Sequence, residues 1–180
     1  RYAEQRYDLK MKLDLINLPR VRMQDLRIFS ERDKRKIKEF CMNSENTRYI
    51  GIGICLYTGM RIGEICALKW EDIDLGKRLI YVRHTLQRVY VKPNETKIII
   101  DSPKSEKSMR TIPMSNIVYT KLKEIKENYQ KDDFFLTGDK SVYMEPRGYQ
   151  YTFKSCLKKC KVPYRNFHCL RHTFATDCIS

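Results

Sequence analysis

The sequence predicts an α+β domain, mainly α: a helical domain with a small three-stranded antiparallel sheet at one edge. Apolar residues recur at helical spacing in both halves of the chain, while strict alternation is confined to a short middle stretch. Turn chemistry at Pro93-Asn94-Glu95-Thr96 separates the alternating runs, as in strands that fold back on their neighbours. With 180 residues and 42% hydrophobic side chains, the chain is long enough for one real core and too short for two full domains.

Taken in order, residues 2–16 read as a charged helix that ends at Asn17-Leu18-Pro19, where proline forbids continuation. Residues 17–28 read as a basic linker, so 1–28 looks like an appendage from a preceding domain and 29–180 like the main one. Ser30 is an N-cap signal with acidic residues after it, opening a helix to about Met42 with Ile37, Phe40 and Cys41 inward. Further helices are expected over about 47–58 and 61–68. Alternation over 79–91 gives a first strand, 97–101 a second and 110–114 a third, forming a meander. Helix returns over 115–129, with Ile117, Val118, Leu122 and Ile125 inward, and over 148–160, carrying Tyr151, Phe153 and Leu157. Val162-Pro163 breaks it, and Asn166 caps a last helix with Phe167, Leu170, Phe174 and Ala175 as core.

The charge balance narrows the partners. Against 22 Asp and Glu stand 36 Lys and Arg, a net charge of +14, and the sequence pI is near 9.5. That surplus favours a polyanion, of which nucleic acid is the commonest. An acidic membrane surface competes less well, because no long basic amphipathic helix stands out. No run of roughly 18 apolar residues could span a bilayer, and no signal-peptide core opens the chain, so a cytosolic protein is expected. Seven cysteines without a CxxC pair argue for reduced, mostly buried thiols, and Cys156, Cys160 and His168 match no defensible zinc spacing.

Two stretches carry candidate chemistry. Thr58-Gly59-Met60-Arg61-Ile62-Gly63-Glu64 follows an apolar helix, so Gly59 would stop that helix and hold Arg61 at a fixed address. Alone, the stretch reads as a helix C-cap at Gly59 followed by an ordinary helix-surface pair of Arg61 and Glu64. In the last helix, His168 and Arg171 lie three apart on one face near an N-terminus, a good phosphate site. His172 is read as a support. Lys104, among small polar residues between two strands, reads as a mobile point charge, with Lys107 and Arg110 as rivals for the same role.

The motifs Thr58-Gly59-Met60-Arg61-Ile62-Gly63-Glu64, Leu68-Lys69-Trp70, Pro103-Lys104 with Arg110-Thr111-Ile112-Pro113, and His168-Cys169-Leu170-Arg171-His172 occur in one order from about Phe29 onward. Together they closely resemble the tyrosine recombinases, above all the integrases of conjugative transposons and phages. The resemblance implies the DNA breaking-rejoining fold, with 1–28 left from a core-binding domain. It implies that Arg61 and Arg171 hold the non-bridging oxygens of the scissile phosphate, where charge builds up in the transition state. Lys104 would protonate the leaving 5′ oxygen. His168 would bind the phosphate or take the nucleophile's proton, and Glu64 would orient its neighbours. No cofactor or metal is implied, because arginines perform the neutralisation. The implied partners are double-stranded DNA, sister subunits in a synaptic tetramer, and an accessory excision factor, in the bacterial cytoplasm at the nucleoid.

The same resemblance places the nucleophilic tyrosine well after the His-x-x-Arg motif, and the sequence stops at Ser180 before one appears. The chain is therefore expected to be a truncated catalytic domain that does not cleave DNA alone. A DNA-binding module without catalysis and a type IB topoisomerase remain the alternatives. Further DNA contacts are assigned to Lys107, Arg83, Arg88, Arg147 and Lys154 on charge alone.

Overall fold

The computed structural model describes residues 28–92, 95–101 and 109–179, and several of its helices begin where the sequence puts capping side chains. The helix expected over 2–16 and all but the last residue of the linker lie outside the described residues. Helix α1 (Glu31–Met42) starts at Ser30, whose hydroxyl accepts from the Asp33 N–H at 3.2 Å. Helix α2 (Thr47–Thr58) starts at Asn46, whose side chain accepts from the Arg48 N–H at 2.9 Å. It is apolar nearly all round and correspondingly buried, so it is the central rod of the domain. Around it pack α1, α5 (Pro146–Lys159) and α6 (His168–Asp177). Short α3 (Ile62–Ala67) follows α2, and α4 (Asn116–Ile125), capped by Ser115, packs against α1.

The strands depart from the expected meander. The first predicted strand divides at Arg83 and His84 into β2 (Leu79–Val82) and β3 (Thr85–Lys92). The three-stranded antiparallel sheet consists of β1 (Ile73–Asp74), β2 and β5 (Arg110–Pro113), in the order β1-β2-β5. Among the described residues, strand β3 pairs only with β4 (Glu95–Asp101), as a separate ribbon in which Leu86 faces Ile100. The chain divides because Leu86 is drawn onto α3. A Cβ on Gly63 would lie 2.6 Å from the Leu86 carbonyl oxygen, so only glycine lets strand and helix approach this closely. Of the turn expected at 93–96, Pro93 and Asn94 lie outside the described residues.

Some inward assignments also change. Ile117 is 51% exposed, because the buried stripe of α4 runs through Val118, Leu122 and Ile125 and covers a single face. Tyr151 is exposed, Phe174 is half-buried and Ala175 lies outside. Six of the seven cysteines are buried and only Cys178 is exposed; all are free thiols. Inside the core, Cys41 and Cys156 touch at 3.7 Å between α1 and α5.

Trp70 joins the helical body to the sheet. It is 1% exposed, stacks on Tyr129 at 5.0 Å between ring centroids, and leans on Phe135 at 5.1 Å. The Lys126 ammonium sits 5.0 Å from the ring. Trp70→Ala is expected to destabilise the domain by about 3–5 kcal/mol, the usual result of emptying a large aromatic site. Urea unfolding of the variant checks this, and a change within experimental error would refute it.

Candidate active site

Helix α2 ends because Gly59 adopts the left-handed conformation, φ 64°, with its N–H bonded to the Cys55 carbonyl at 2.9 Å. The chain then passes Met60, which is 1% exposed, and reaches Arg61 in extended conformation at the N-cap of α3. Burying Met60 leaves little freedom to the turn. Arg61 is fixed further by Glu64, one helical turn on. The Glu64 carboxylate accepts from the Arg61 backbone N–H at 2.8 Å and from its guanidinium at 2.9 Å. Glu64 is only 6% exposed, whereas the Arg61 side chain is 55% exposed and available to a ligand.

A third group shares this carboxylate. Arg110, the first residue of β5, gives both terminal nitrogens to Glu64, at 2.8 and 2.7 Å. Burial alone would raise the Glu64 pKa. The Arg110 hydrogen bonds, with those from Arg61, outweigh it and hold the carboxyl below the usual carboxylate range.

Helix α6 brings the second arginine to the same turn. Asn166 accepts from the Cys169 N–H at 3.2 Å and so caps the start of α6, as the sequence indicates. Arg171 then donates to the Gly59 carbonyl at 2.6 Å, across 112 residues of sequence. One turn later the Phe174 ring covers Gly59, where a Cβ would meet its Cδ1 at 2.5 Å. The two arginines therefore lean on the same three-residue turn. With His168 they line a pocket of about 290 Å³ whose other walls include Met60, Phe167 and Tyr164.

Like charges are crowded here. Burial and then the neighbouring Arg61 and Arg110 lower the Arg171 pKa, with Glu64 opposing them. Burial, then His172, Arg171 and Arg61, push His168 below the ordinary imidazole value, so it is mostly neutral at pH 7. The His172 ring meets the His168 ring edge-on at 4.4 Å, a placement suited to support. Cations crowded at the mouth of one pocket suit it to an anion.

The structure thus unites Arg61, Glu64, His168, Arg171 and His172. Lys104 and Lys107 lie outside the described residues. Two of the proposed DNA contacts, Arg83 and Arg88, hold acidic partners within the chain while remaining about half exposed. Arg83 pairs with the buried Asp72 at 3.2 Å and lies over the Tyr81 ring. Arg88 binds Glu145, at 3.0 Å through its Nε, and Thr96 at 2.6 Å. Arg147 and Lys154 are exposed. Sequence reasoning missed the grip of Arg110 on Glu64 and the use of the Gly59 carbonyl, because neither bond has a local signature. Among the described residues, no group of three or more His, Cys, Asp or Glu side chains is placed to hold a metal ion. No described helix is long and apolar enough to cross a membrane.

A helical body with small antiparallel sheets and two arginines meeting at one turn has the architecture of a tyrosine recombinase catalytic domain. Among solved structures, it is similar to the Tn1549 transposon integrase in complex with circular intermediate DNA, with a TM-score of 0.66 and 26% identity over 87% of this chain and 55% of that one. It is also similar to the XerA recombinase, with a TM-score of 0.64 and 25% identity over 98% and 57%. The chain belongs to the phage integrase family, whose model matches residues 27–180. A XerC-like tyrosine recombinase of Caldanaerobacter subterraneus subsp. tengcongensis is 32% identical over 84% of the chain and 43% of the relative. The transposase of transposon Tn916 from Enterococcus faecalis is 28% identical over 95% and 44%. The chain therefore spans less than half the length of these curated relatives.

Proposed function

We propose that this chain is the catalytic domain of a site-specific DNA recombinase, which breaks and rejoins strands through a 3′-phosphotyrosyl intermediate to integrate or excise a mobile element. The observation that carries the reading is the docking of Arg171 on the Gly59 carbonyl, which puts a second guanidinium beside Arg61. Arg61 and Arg171 bind the two non-bridging oxygens of the scissile phosphate. As the phosphorus becomes pentacoordinate, negative charge grows on those oxygens, and donors already in place stabilise it without reorganising. His168, neutral near pH 7, hydrogen-bonds the phosphate or accepts the nucleophile's proton, with His172 holding its ring. Glu64 orients Arg61, and Lys104 delivers a proton to the leaving 5′ oxygen.

The attacking tyrosine is assigned to the part of the protein beyond these residues. Tyr149 is unsuited: it is fully buried, donates to the Arg48 carbonyl at 2.7 Å, and has a pKa raised well above the ordinary phenol by burial. Tyr164 lines the pocket and is the cis competitor. The reading further assigns residues 1–28 to the end of a preceding core-binding domain, and double-stranded DNA as substrate in the cytoplasm. A synaptic tetramer and an accessory excision factor complete the implied assembly.

The test incubates the full-length protein with a nicked suicide DNA substrate and maps the adduct by peptide mass spectrometry. A covalent 3′ adduct on a tyrosine after position 180 is expected, and Tyr164→Phe should still form it. An adduct on Tyr164 would refute the assignment of the nucleophile. Specific DNA binding with no adduct under any condition would favour a module that grips DNA without catalysis.

A further inference from the structure

We propose that Arg110 is a positioning residue for strand cleavage: by occupying Glu64 it leaves the carboxylate able to orient Arg61 without neutralising it. This rests on the phosphate-clamp reading given above. Glu64 could serve Arg61 in two opposite ways. As a modest hydrogen-bond acceptor it fixes the guanidinium; as a full bidentate counterion it would turn both terminal nitrogens inward and cancel the charge that a phosphate must meet.

The hydrogen bonds show which of these holds. Glu64 Oε1 accepts from Arg61 Nη1 and Arg110 Nη1, and Oε2 from the Arg61 backbone and Arg110 Nη2. Each oxygen therefore accepts twice, which uses the roughly four lone-pair sites a carboxylate has. The paired fork belongs to Arg110, and Arg61 contributes one guanidinium nitrogen only. Two cations share one anion, so the trio keeps a net positive charge, and the more exposed cation is Arg61, at 55% against 30% for Arg110.

Rival roles for Arg110 fit less well. As general acid in place of the loop lysine it fails, because a guanidinium does not give up a proton near neutral pH. As a direct phosphate ligand it is poorly placed, because both terminal nitrogens already face Glu64. What remains is an effect exerted through Glu64 on Arg61. Without Arg110, half of the acceptor positions of a buried carboxylate would fall vacant, and the Arg61 guanidinium, already bonded to Glu64 Oε1, is a donor at hand to fill them.

The experiment measures single-turnover adduct formation on the nicked substrate, and DNA affinity separately, for the full-length protein and for R110Q, R110K, E64Q and E64Q/R110Q. R110Q is expected to slow cleavage roughly 10- to 100-fold, the usual loss for a residue that supports a ligating side chain, with DNA affinity nearly unchanged. R110K should fall between it and the parent, since an ammonium keeps the charge but not the fork. E64Q/R110Q should cleave faster than R110Q, because the carboxylate that captures Arg61 is gone. Additive losses in the double variant, or unimpaired cleavage by R110Q, would overturn the proposal. Should R110Q fail to fold by circular dichroism, R110K against E64Q/R110K gives the same comparison. If the unmodified protein forms no adduct at all, the clamp reading itself fails, a result distinct from failure at Arg110.

Discussion

Arg171→Lys in the full-length protein should reduce adduct formation on a nicked substrate by roughly 10²- to 10³-fold, the loss expected when one preorganised donor to a developing oxyanion is removed. DNA affinity should stay close to that of the parent, because the charge is kept and backbone contacts are summed over many phosphates. The reason lies in how Arg171 is employed. One of its nitrogens is tied to the Gly59 carbonyl at 2.6 Å, and the side chain lines the pocket. A planar guanidinium can do both at once; an ammonium on a flexible stem can do one or the other. The same logic applies to Arg61→Lys, since Arg61 holds Glu64 and, in the proposed clamp, would meet the phosphate as well. Gel-based single-turnover kinetics alongside mobility-shift titration would decide it. A lysine variant that cleaves at the parental rate would remove that residue from the clamp.

Glu64→Ala should be the most damaging change among the polar residues described. It strips the counter-charge from Arg110, which is 30% exposed, and leaves the Arg61 N–H without its acceptor. Removing one partner from a fully buried ion pair costs about 3–5 kcal/mol; here the cations left behind are 55% and 30% exposed, so water screens them and the loss should fall below that range. Stability against pH gives an independent measure. The Glu64 carboxyl titrates below its ordinary value in the folded protein, so the unfolded chain binds the proton more readily. Its contribution is complete above the unfolded carboxylate pKa, about 4.3, and is lost as pH falls through the lower folded value. The parent should therefore lose stability across that acidic window more steeply than Glu64→Ala, as read by chemical denaturation at a series of pH values. Parallel profiles would mean that the carboxylate does not stabilise the fold.

Much of the helical body was readable in advance because its signals are local. Ser30 caps α1, Gly59 ends α2 and Asn166 starts α6, each through a bond spanning no more than four residues. The β region was harder. Ile80, Val82 and Leu86 keep one alternating phase, so nothing in the pattern marks the bend at Arg83 and His84 that gives two ribbons instead of one meander. The bend comes from long-range packing, the contact of Leu86 with Gly63, and periodicity is blind to it. Site residues divide in the same way. Arg61, Glu64, His168 and Arg171 were found through motifs whose order carries information. Arg83 and Arg88 were assigned to DNA on charge alone, and the structure gives them acidic partners, Asp72 and Glu145, on other elements. Arg110 is legible as part of a motif and as a rival of Lys104, but its bond to Glu64 is not, because that bond crosses 46 positions.

The left-handed turn at Gly59 sets a dimensional tolerance on the whole machine. With Arg171 hung on one carbonyl, and Arg61 two residues further along and tied to Glu64, main chain and carboxylate together gauge the gap between the cations. Inserting or deleting a single residue between positions 59 and 61 would displace the Arg61 backbone by up to about 3.8 Å from the carbonyl that holds Arg171, and throw the gauge out.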